Sequence, residues 1–301
     1  MELNCKRILV IGASGFIGRH LVSRLISDSS LEVFVIQHKS LINIEGVNII
    51  KSSLEKIDKS LLTGFDIIFH LGRLSSSNTL GRIIKSMVGY WANSRIVSIL
   101  KRITKPPKVV FFSGSLVYGF KDEAFENTSL DPISYHRCYF LQEIPFLKEV
   151  IDLPIYIIRL PWVFGNGSWF KMFYVDKLKF GYVPVYIGGD NNMTIISVDD
   201  AINMSLWIVG NKPQGIYNLF SNINLKQIEL CKRLENYFGL GLRRIGSFEL
   251  IMKHGFEAYE AFKFSLKLNT LHQDIKNYHF KHSNFDSMFL EYIERVFAKT
   301  P

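Results

Sequence analysis

A chain of 301 residues that is 48% hydrophobic can form one large domain, or a domain with a smaller lobe, and its net charge of +9 permits anionic partners. The basic residues are scattered, which favours an ordinary solvated surface over a nucleic-acid-binding patch. No apolar run of about 18 residues occurs, and the dispersed Cys5, Cys138 and Cys231 match neither a disulfide framework nor a metal site. We therefore expect a cytoplasmic protein with neither a membrane span nor a secretory leader.

The segment 7–22 carries the clearest signal in the chain. An apolar run ending at Ile11 leads into three glycines and then into an apolar pattern of helical period. This arrangement suits a dinucleotide: Gly12 permits a tight turn, Gly15 lets the backbone approach the pyrophosphate, and Gly18 lets the helix pack closely on the strand. The N–H groups at the helix start would face the phosphates. The residues expected to bind a nucleotide cofactor in this turn are Gly12, Ser14, Gly15, Phe16, Ile17 and Gly18.

Apolar, β-branched runs then alternate with segments of helical period. The predicted strands are 8–11, 33–36, 47–50, 66–71, 108–113 and 154–160. The predicted helices lie near 16–28, 54–63, 80–103 and 134–150. This alternation is typical of an α/β fold with a Rossmann-type doubly wound parallel sheet, which binds ligands at the carboxyl ends of its strands.

The pattern becomes less regular and more aromatic after residue 165, which predicts a smaller C-terminal substrate lobe. We expect a dinucleotide-binding domain of residues 1–165, to which 191–220 returns, and a lobe formed by 166–190 and 221–301. An apolar stripe at helical spacing near the C-terminus predicts a helix docked on the protein's own core rather than on a membrane surface. The stripe consists of Phe285, Met288, Phe289, Tyr292, Ile293, Val296 and Phe297.

Six motifs between about residues 6 and 235 resemble, in order, those of the extended short-chain dehydrogenases/reductases, the NAD-dependent epimerase/dehydratase family. They are the glycine turn 12–18, the strand 66–72, the helix residue Asn93, the serine-containing strand end 112–119, the approach 126–135 to a tyrosine, and the strand 159–165. The resemblance implies further cofactor contacts from Leu71, Gly72, Arg73, Ser113, Pro161 and Val163.

The catalytic set that this resemblance implies is incomplete here. In the family a tyrosine transfers the proton of the reacting oxygen, a lysine four residues later holds the ribose hydroxyls and lowers the tyrosine pKa, and a Ser or Thr hydrogen-bonds the same oxygen. Tyr135 is present, but Tyr139 stands at the lysine position and Gly114 at the Ser/Thr position. Helical spacing would place both tyrosines on one face. Ser115 could replace the missing hydroxyl if the strand bulges locally.

These departures favour reduction over oxidation. An unassisted tyrosine has a pKa near 10, so its use as a base at pH 7 would cost about 4 kcal/mol, whereas neutral Tyr135 can already protonate a carbonyl. We therefore favour an NAD(P)-dependent oxidoreductase or epimerase/dehydratase-like enzyme acting on a small carbonyl or hydroxyl metabolite. A non-catalytic NADP(H)-binding regulatory or accessory protein is the first alternative, and a basic RNA-binding relative is the second.

The residues after the second and third strands bear on cofactor choice. Gln37, His38 and Lys39 replace the acidic residue that NAD-specific sites place there, so NADP(H) is favoured over NAD(H). Ser53 and Leu54 follow the third strand, where an acidic residue often contacts adenine.

Substrate and assembly are less strongly indicated. Met193 stands where nucleotide-sugar enzymes of this family often carry an arginine, which weakens the prediction of such a substrate. Aromatic residues at the start of the lobe would line a pocket or form its core; they are Trp162, Trp169, Phe170 and Phe173. The helices at 80–103 and 134–150 pair subunits in many relatives, so a homodimer is an option.

Overall fold

The computed structural model describes residues 6–76 and 78–297, and it contains two compact units. Unit 1 comprises the chain to residue 114 with 137–159 and 202–217; unit 2 comprises 115–136, 160–201 and the chain from 218 onward. The domain division expected from the sequence stays a prediction, and these units differ from it chiefly in assigning 115–136 and 191–201 to unit 2. Cys5 and the side chains of Val296 and Phe297 lie outside the described residues.

The six predicted strands all form, with ends displaced by no more than one residue. The strands are β1 (Arg7–Ile11), β2 (Glu32–Gln37), β3 (Asn48–Lys51), β4 (Ile67–His70), β5 (Lys108–Gly114), β6 (Glu123–Ala124), β7 (Ile155–Leu160), β8 (Trp162–Phe164), β9 (Tyr182–Tyr186), β10 (Asn192–Ser197), β11 (Gly215–Asn218), β12 (Ile223–Lys226), β13 (Gly241–Ile245) and β14 (Lys267–Leu268). The helices are α1 (Phe16–Ile26), α2 (Lys59–Leu62), α3 (Thr79–Leu100), α4 (His136–Leu147), α5 (Asp176–Leu178), α6 (Val198–Asn211), α7 (Gln227–Phe238), α8 (Ser247–His254), α9 (Phe256–Lys263), α10 (Gln273–Lys276) and α11 (Phe285–Phe297).

Unit 1 is built on a Rossmann-type sheet, as the sequence predicts. Within the described residues, seven strands form this sheet in the order β11-β7-β5-β4-β1-β2-β3, and the pairs β1–β2, β1–β4, β2–β3 and β4–β5 are parallel. The register aligns Ile11 with Ile36 and with His70, and His70 with Phe111. The carboxyl ends of β1, β2, β4 and β5 therefore share one edge, beside the point where the strand order reverses, and this is where doubly wound folds bind ligands.

Helices cover both faces of this sheet because its central strand is apolar on both sides. Leu9 and Ile11 of β1 belong to a core that includes Ile96 of α3 and Phe146 of α4. Their neighbours along the strand point to the opposite face, where α1 packs against β1 and β2. The β-branched runs thus form buried strands, as their composition indicates.

The sequence predicts one helix at 54–63, but the structure has two separate helical segments there. Leu54–Lys56 form a 3₁₀ turn, and α2 starts afresh at Lys59 because Oδ1 of Asp58 accepts a hydrogen bond from the backbone N–H of Leu61 at 3.0 Å.

Unit 2 contains small sheets and an aromatic core. In its described part the strand groups are β12-β10-β8, β13-β9 and β14-β6, so β10 belongs to this unit while β11 joins the large sheet. As predicted, the C-terminal helix docks on the protein's own core through Phe285, Met288, Phe289, Tyr292 and Ile293, which are buried. Phe170 and Phe173 are also buried in this core, whereas Trp162 and Trp169 pack against it while partly exposed. Among the described helices, none combines the length and apolar composition that a membrane crossing needs.

Candidate functional site

The glycine turn between β1 and α1 depends on close backbone packing. Gly12 has a φ of +91°, and a Cβ at this residue would lie 2.6 Å from the backbone nitrogen of Gly72. A Cβ on Gly18 would collide with the carbonyl oxygen of Gly12, and the N–H of Gly15 donates to that same oxygen at 3.1 Å. Side chains are therefore excluded at Gly12 by both conformation and space, and at Gly18 by the approach of the helix to the strand.

The start of α1 is suited to an anion. Its N-cap is Gly15, which supplies no capping side chain, and no acidic residue occupies the first turn. Ser14 and Gly15 are exposed, and the Arg19 guanidinium donates to the Ser14 carbonyl at 3.2 Å. Uncapped N–H groups, the positive end of the helix dipole and a nearby cation all favour a phosphate, so the turn fits the pyrophosphate of a dinucleotide.

The loop after β2 places charge at the same edge of the sheet. His38 and Lys39 are exposed, whereas Gln37 uses Oε1 to accept the backbone N–H of Ile42 at 3.0 Å. Sequence reasoning missed Glu55, which follows Ser53 and Leu54. Its own backbone N–H holds the pKa of the Glu55 carboxyl below its usual value, and the Ser53 hydroxyl and the charge of His38 lower it further, although burial opposes them. A carboxylate therefore lies near the loop that the sequence alone presents as purely basic.

A buried hydrogen-bond network supports the segment after β4. Nε2 of His70 bonds Oδ1 of Asn93 at 2.9 Å, and the Asn93 amide donates to the Gln142 carbonyl at 2.7 Å. The Gln142 side chain then binds both the N–H and the carbonyl of Leu74, at 3.1 and 3.0 Å. Burial lowers the pKa of His70 to about 4, so its ring is neutral at physiological pH. The backbone of Leu74, the residue after Arg73, is thereby held at both its N–H and its carbonyl.

Tyr139, which the sequence resemblance predicts at the position of the family's lysine, has polar partners in unit 1. Its hydroxyl is hydrogen-bonded to Oγ of Ser75, and the guanidinium carbon of Arg73 lies 4.8 Å from its ring centroid. Arg73 and Ser75 both belong to the segment that leaves β4. The structure therefore brings together two residues that the sequence assigns separately, Arg73 to the cofactor and Tyr139 to catalysis.

A buried ionic cluster lies one helical turn further along α4, and sequence reasoning missed its central residue. Glu143 accepts a hydrogen bond from Oγ of Ser113 and forms an ion pair with Arg159 at 3.0 Å. Both charged side chains are 1% exposed. The signal was present in the sequence, since Glu143 follows Tyr139 by four residues and therefore shares its helix face. In this position Ser113 is held by a carboxylate.

Tyr135 belongs to unit 2 and stands directly before the first residue of α4, whereas Tyr139 lies within that helix. The preceding residue, Ser134, has a φ of +56°, which is incompatible with a helical turn. Its Oγ donates to the Glu257 carbonyl at 2.7 Å, and its N–H donates to the Glu260 carboxylate at 3.2 Å. These bonds to α9 hold the unusual backbone. Tyr135 itself is 36% exposed, and its ring lies 4.7 Å from that of His136.

The other predicted residues of unit 2 are largely buried. Ser115 begins the 3₁₀ turn Ser115–Tyr118, so the chain leaves the strand here by a turn rather than by the bulge considered above. Pro161 precedes β8, and Val163 lies within it, 7% exposed.

Comparison with known proteins places this geometry in a family. Residues 8–219 match the sequence profile of the NAD dependent epimerase/dehydratase family. An uncharacterized UDP-glucose epimerase of Bacillus subtilis, YtcB, is 31% identical over 190 residues, which are 53% of this chain and 57% of that protein. The match with YtcB thus spans little more than half of its length. A UDP-N-acetyl-alpha-D-glucosaminuronate decarboxylase of Bacillus cytotoxicus is 27% identical over 84% of this chain and 87% of its own.

A solved structure shows the same fold over nearly the whole chain. The dTDP-glucose 4,6-dehydratase DesIV of Streptomyces venezuelae, solved with NAD and TYD bound, superposes with a TM-score of 0.76 at 19% identity, covering 97% of each chain. The glycine turn, the strand order and the family profile agree with one another. The chain is a member of the NAD-dependent epimerase/dehydratase family.

Proposed function

We propose that this protein binds a nicotinamide dinucleotide and acts as an epimerase/dehydratase-type enzyme on a nucleotide sugar. The observation that carries the proposal is the turn of Gly12 and Gly18, where added Cβ atoms would meet backbone. A turn packed so tightly against the strand ends, with an uncapped helix start behind it, suits a pyrophosphate. The other predicted cofactor residues of unit 1 lie at or just after the carboxyl ends of β2, β3, β4 and β5.

The relatives support a nucleotide sugar as the substrate, whereas one residue argues against it. Both curated relatives described above are named for nucleotide-sugar reactions. Met193, by contrast, has an uncharged side chain that is fully buried in β10, so it cannot pair with a diphosphate. We therefore propose a nucleotide sugar whose diphosphate is bound by residues other than the one at position 193.

For the chemistry, the bound dinucleotide supplies hydride transfer. The residue that would move the proton is Tyr135, whose neutral phenol can protonate a carbonyl oxygen at pH 7. Gly114 provides no hydroxyl at the family's Ser/Thr position, and Ser113 is engaged by Glu143. The reductive direction remains favoured because it needs no deprotonated tyrosine.

The choice between the two dinucleotides depends on opposing charges. Exposed Lys39 supports NADP(H), as the sequence predicts, because it could pair with a 2′-phosphate. The Glu55 carboxylate, influenced by His38, supports NAD(H) because it would repel that phosphate. We retain NADP(H) as the sequence-based prediction, and Glu55→Gln should shift preference further toward it.

Equilibrium titration of the protein with NADPH, NADP⁺, NADH and NAD⁺ tests cofactor binding, and a screen of UDP- and dTDP-sugars tests turnover. Tyr135→Phe should abolish turnover while leaving dinucleotide affinity unchanged, because only the proton donor is lost. Failure of the wild-type protein to bind any of the four would refute the proposed function.

A non-catalytic dinucleotide-binding protein is the second candidate. The observation favouring it is that the hydroxyl of Tyr139, the residue predicted to replace the lysine, is already bonded to Ser75. Tight dinucleotide binding without turnover of any nucleotide sugar, and without any effect of Tyr135→Phe, would favour this candidate. The RNA-binding alternative rests on net charge alone.

We further propose that two copies pair through α3. Large apolar side chains are exposed along one face of this helix at positions i, i+3, i+4, i+7 and i+11. They are Leu80, Ile83, Ile84, Met87 and Trp91, each 42–69% exposed. Such a stripe is the usual mark of a helix that packs on another surface.

A further inference from the structure

We propose that Arg73, stacked on Tyr139, supplies the positive charge at the nicotinamide ribose that a lysine supplies in related enzymes. This inference rests on the proposed function, since it concerns the same cofactor site. Tyr139 carries a phenol at the lysine position, so it can hydrogen-bond a ribose hydroxyl but cannot supply a positive charge. The guanidinium carbon of Arg73 lies 4.8 Å from its ring centroid, within the range of a cation–π interaction.

The position of Arg73 is set by its neighbours on both sides. The preceding residue, Gly72, is so close to the cofactor turn that a Cβ on Gly12 would lie 2.6 Å from its nitrogen. The following residue, Leu74, is bound at both N–H and carbonyl by the Gln142 side chain. Arg73 therefore leaves the sheet at its ligand-binding edge from a backbone held by contacts to two separate parts of unit 1.

The charge of Arg73 is available to a ligand. Among residues 6–76 and 78–297 it forms no ion pair with a carboxylate, and its side chain is exposed. The Tyr139 ring orients the guanidinium, and the Ser75 hydroxyl in turn holds the Tyr139 hydroxyl. A guanidinium is permanently charged and carries several donors, so it can bind ribose oxygens while the ring positions it.

The test is a set of affinities for NADH, NADPH and AMP, measured by fluorescence or calorimetry. The proteins are wild type, Arg73→Gln, the double variant Arg73→Gln/Tyr139→Lys, and Arg102→Gln. Arg102 is an exposed arginine beyond the end of α3 and serves as the matched control. Arg73→Gln should weaken NADH and NADPH alike by about tenfold or more, since a charged hydrogen-bond donor is lost. AMP affinity should not change, because AMP lacks the nicotinamide ribose.

Adding Tyr139→Lys to Arg73→Gln should restore most of the dinucleotide affinity, and Arg102→Gln should match wild type. The inference is overturned if Arg73→Gln binds NADH as tightly as wild type, or if the double variant recovers nothing. A loss of affinity confined to NADPH would also overturn the inference, because it would assign Arg73 to the 2′-phosphate. An equal loss of affinity for AMP would overturn it as well, because Arg73 would then attract phosphates in general. In each of these cases wild-type binding survives, so the proposed function is untouched; absence of wild-type binding would refute both.

Discussion

Arg159 donates to the carboxylate of Glu143 at 3.0 Å in a setting where each side chain is only 1% exposed. The other oxygen of that carboxylate accepts the hydroxyl of Ser113. The three residues come from β7, α4 and β5, so one carboxylate links three elements of unit 1. Such a cluster is stable only while each charge keeps its partner, because the low dielectric of the interior penalises an unpaired ion.

Glu143→Gln should therefore lower the free energy of unfolding by about 3 kcal/mol, since it removes the buried carboxylate that pairs with the Arg159 guanidinium. Urea denaturation measures the change. Glu149→Gln is the control: it breaks the ion pair with Lys101, whose side chain is 51% exposed, and should cost less than about 1 kcal/mol. Equal losses in the two variants would contradict a special role for the buried pair.

Gly18→Ala should impair both folding and cofactor binding. Its Cβ would meet the Gly12 carbonyl oxygen, so the helix must move away from the strand, at a cost of about 1–3 kcal/mol. Thermal unfolding and NADH titration would report the two effects. Gly64→Ala is a suitable control because the nearest atom to its Cβ is the Arg7 side chain at 3.5 Å, and wild-type behaviour is expected there. If Gly18→Ala also binds NADH normally, the tight turn is not needed by the cofactor.

Buried His70 should make stability depend on pH. Burial lowers the pKa of folded His70 to about 4, from 6.5. Between these values the unfolded chain takes up a proton that the folded protein does not, so this residue reduces stability as pH falls from 6.5 to 4, by about 3 kcal/mol in total. Above pH 6.5 its contribution is constant.

Urea denaturation across pH 4–7 tests this dependence. His70→Gln should flatten the slope, because it removes the buried imidazole. An unchanged slope in His70→Gln would mean that another group governs this range.

Trp91→Lys should separate dimers if α3 pairs subunits. Trp91 is 67% exposed in the apolar stripe, and a lysine there would place a charge in the contact. Light scattering after size exclusion should give about twice the 34.7 kDa chain mass for wild type and the single-chain mass for the variant. Leu41→Lys, at a residue 77% exposed elsewhere in unit 1, should remain dimeric. A monomeric wild type would exclude the pairing at the concentrations measured.

Several features of this protein follow from interactions between residues that are close in sequence. Apolar β-branched runs become strands because their side chains are buried on both faces, and the glycine turn forms because only glycine satisfies the φ of Gly12 and the space at Gly18. These local signals were sufficient to predict the Rossmann-type sheet, the edge at which ligands bind, and the docking of the C-terminal apolar stripe.

The surroundings of the candidate catalytic residues depend instead on contacts between residues that are distant in sequence. Tyr139 contacts Ser75, 64 residues away, and Glu143 contacts Ser113, 30 residues away. Ser134 takes a positive φ because α9, more than 120 residues later, supplies acceptors for its N–H and hydroxyl. That conformation precedes the start of α4, with Tyr135 directly before its first residue. Contacts across such separations leave no periodic signal in the chain, because they depend on which elements pack together and not on the local preference of any residue.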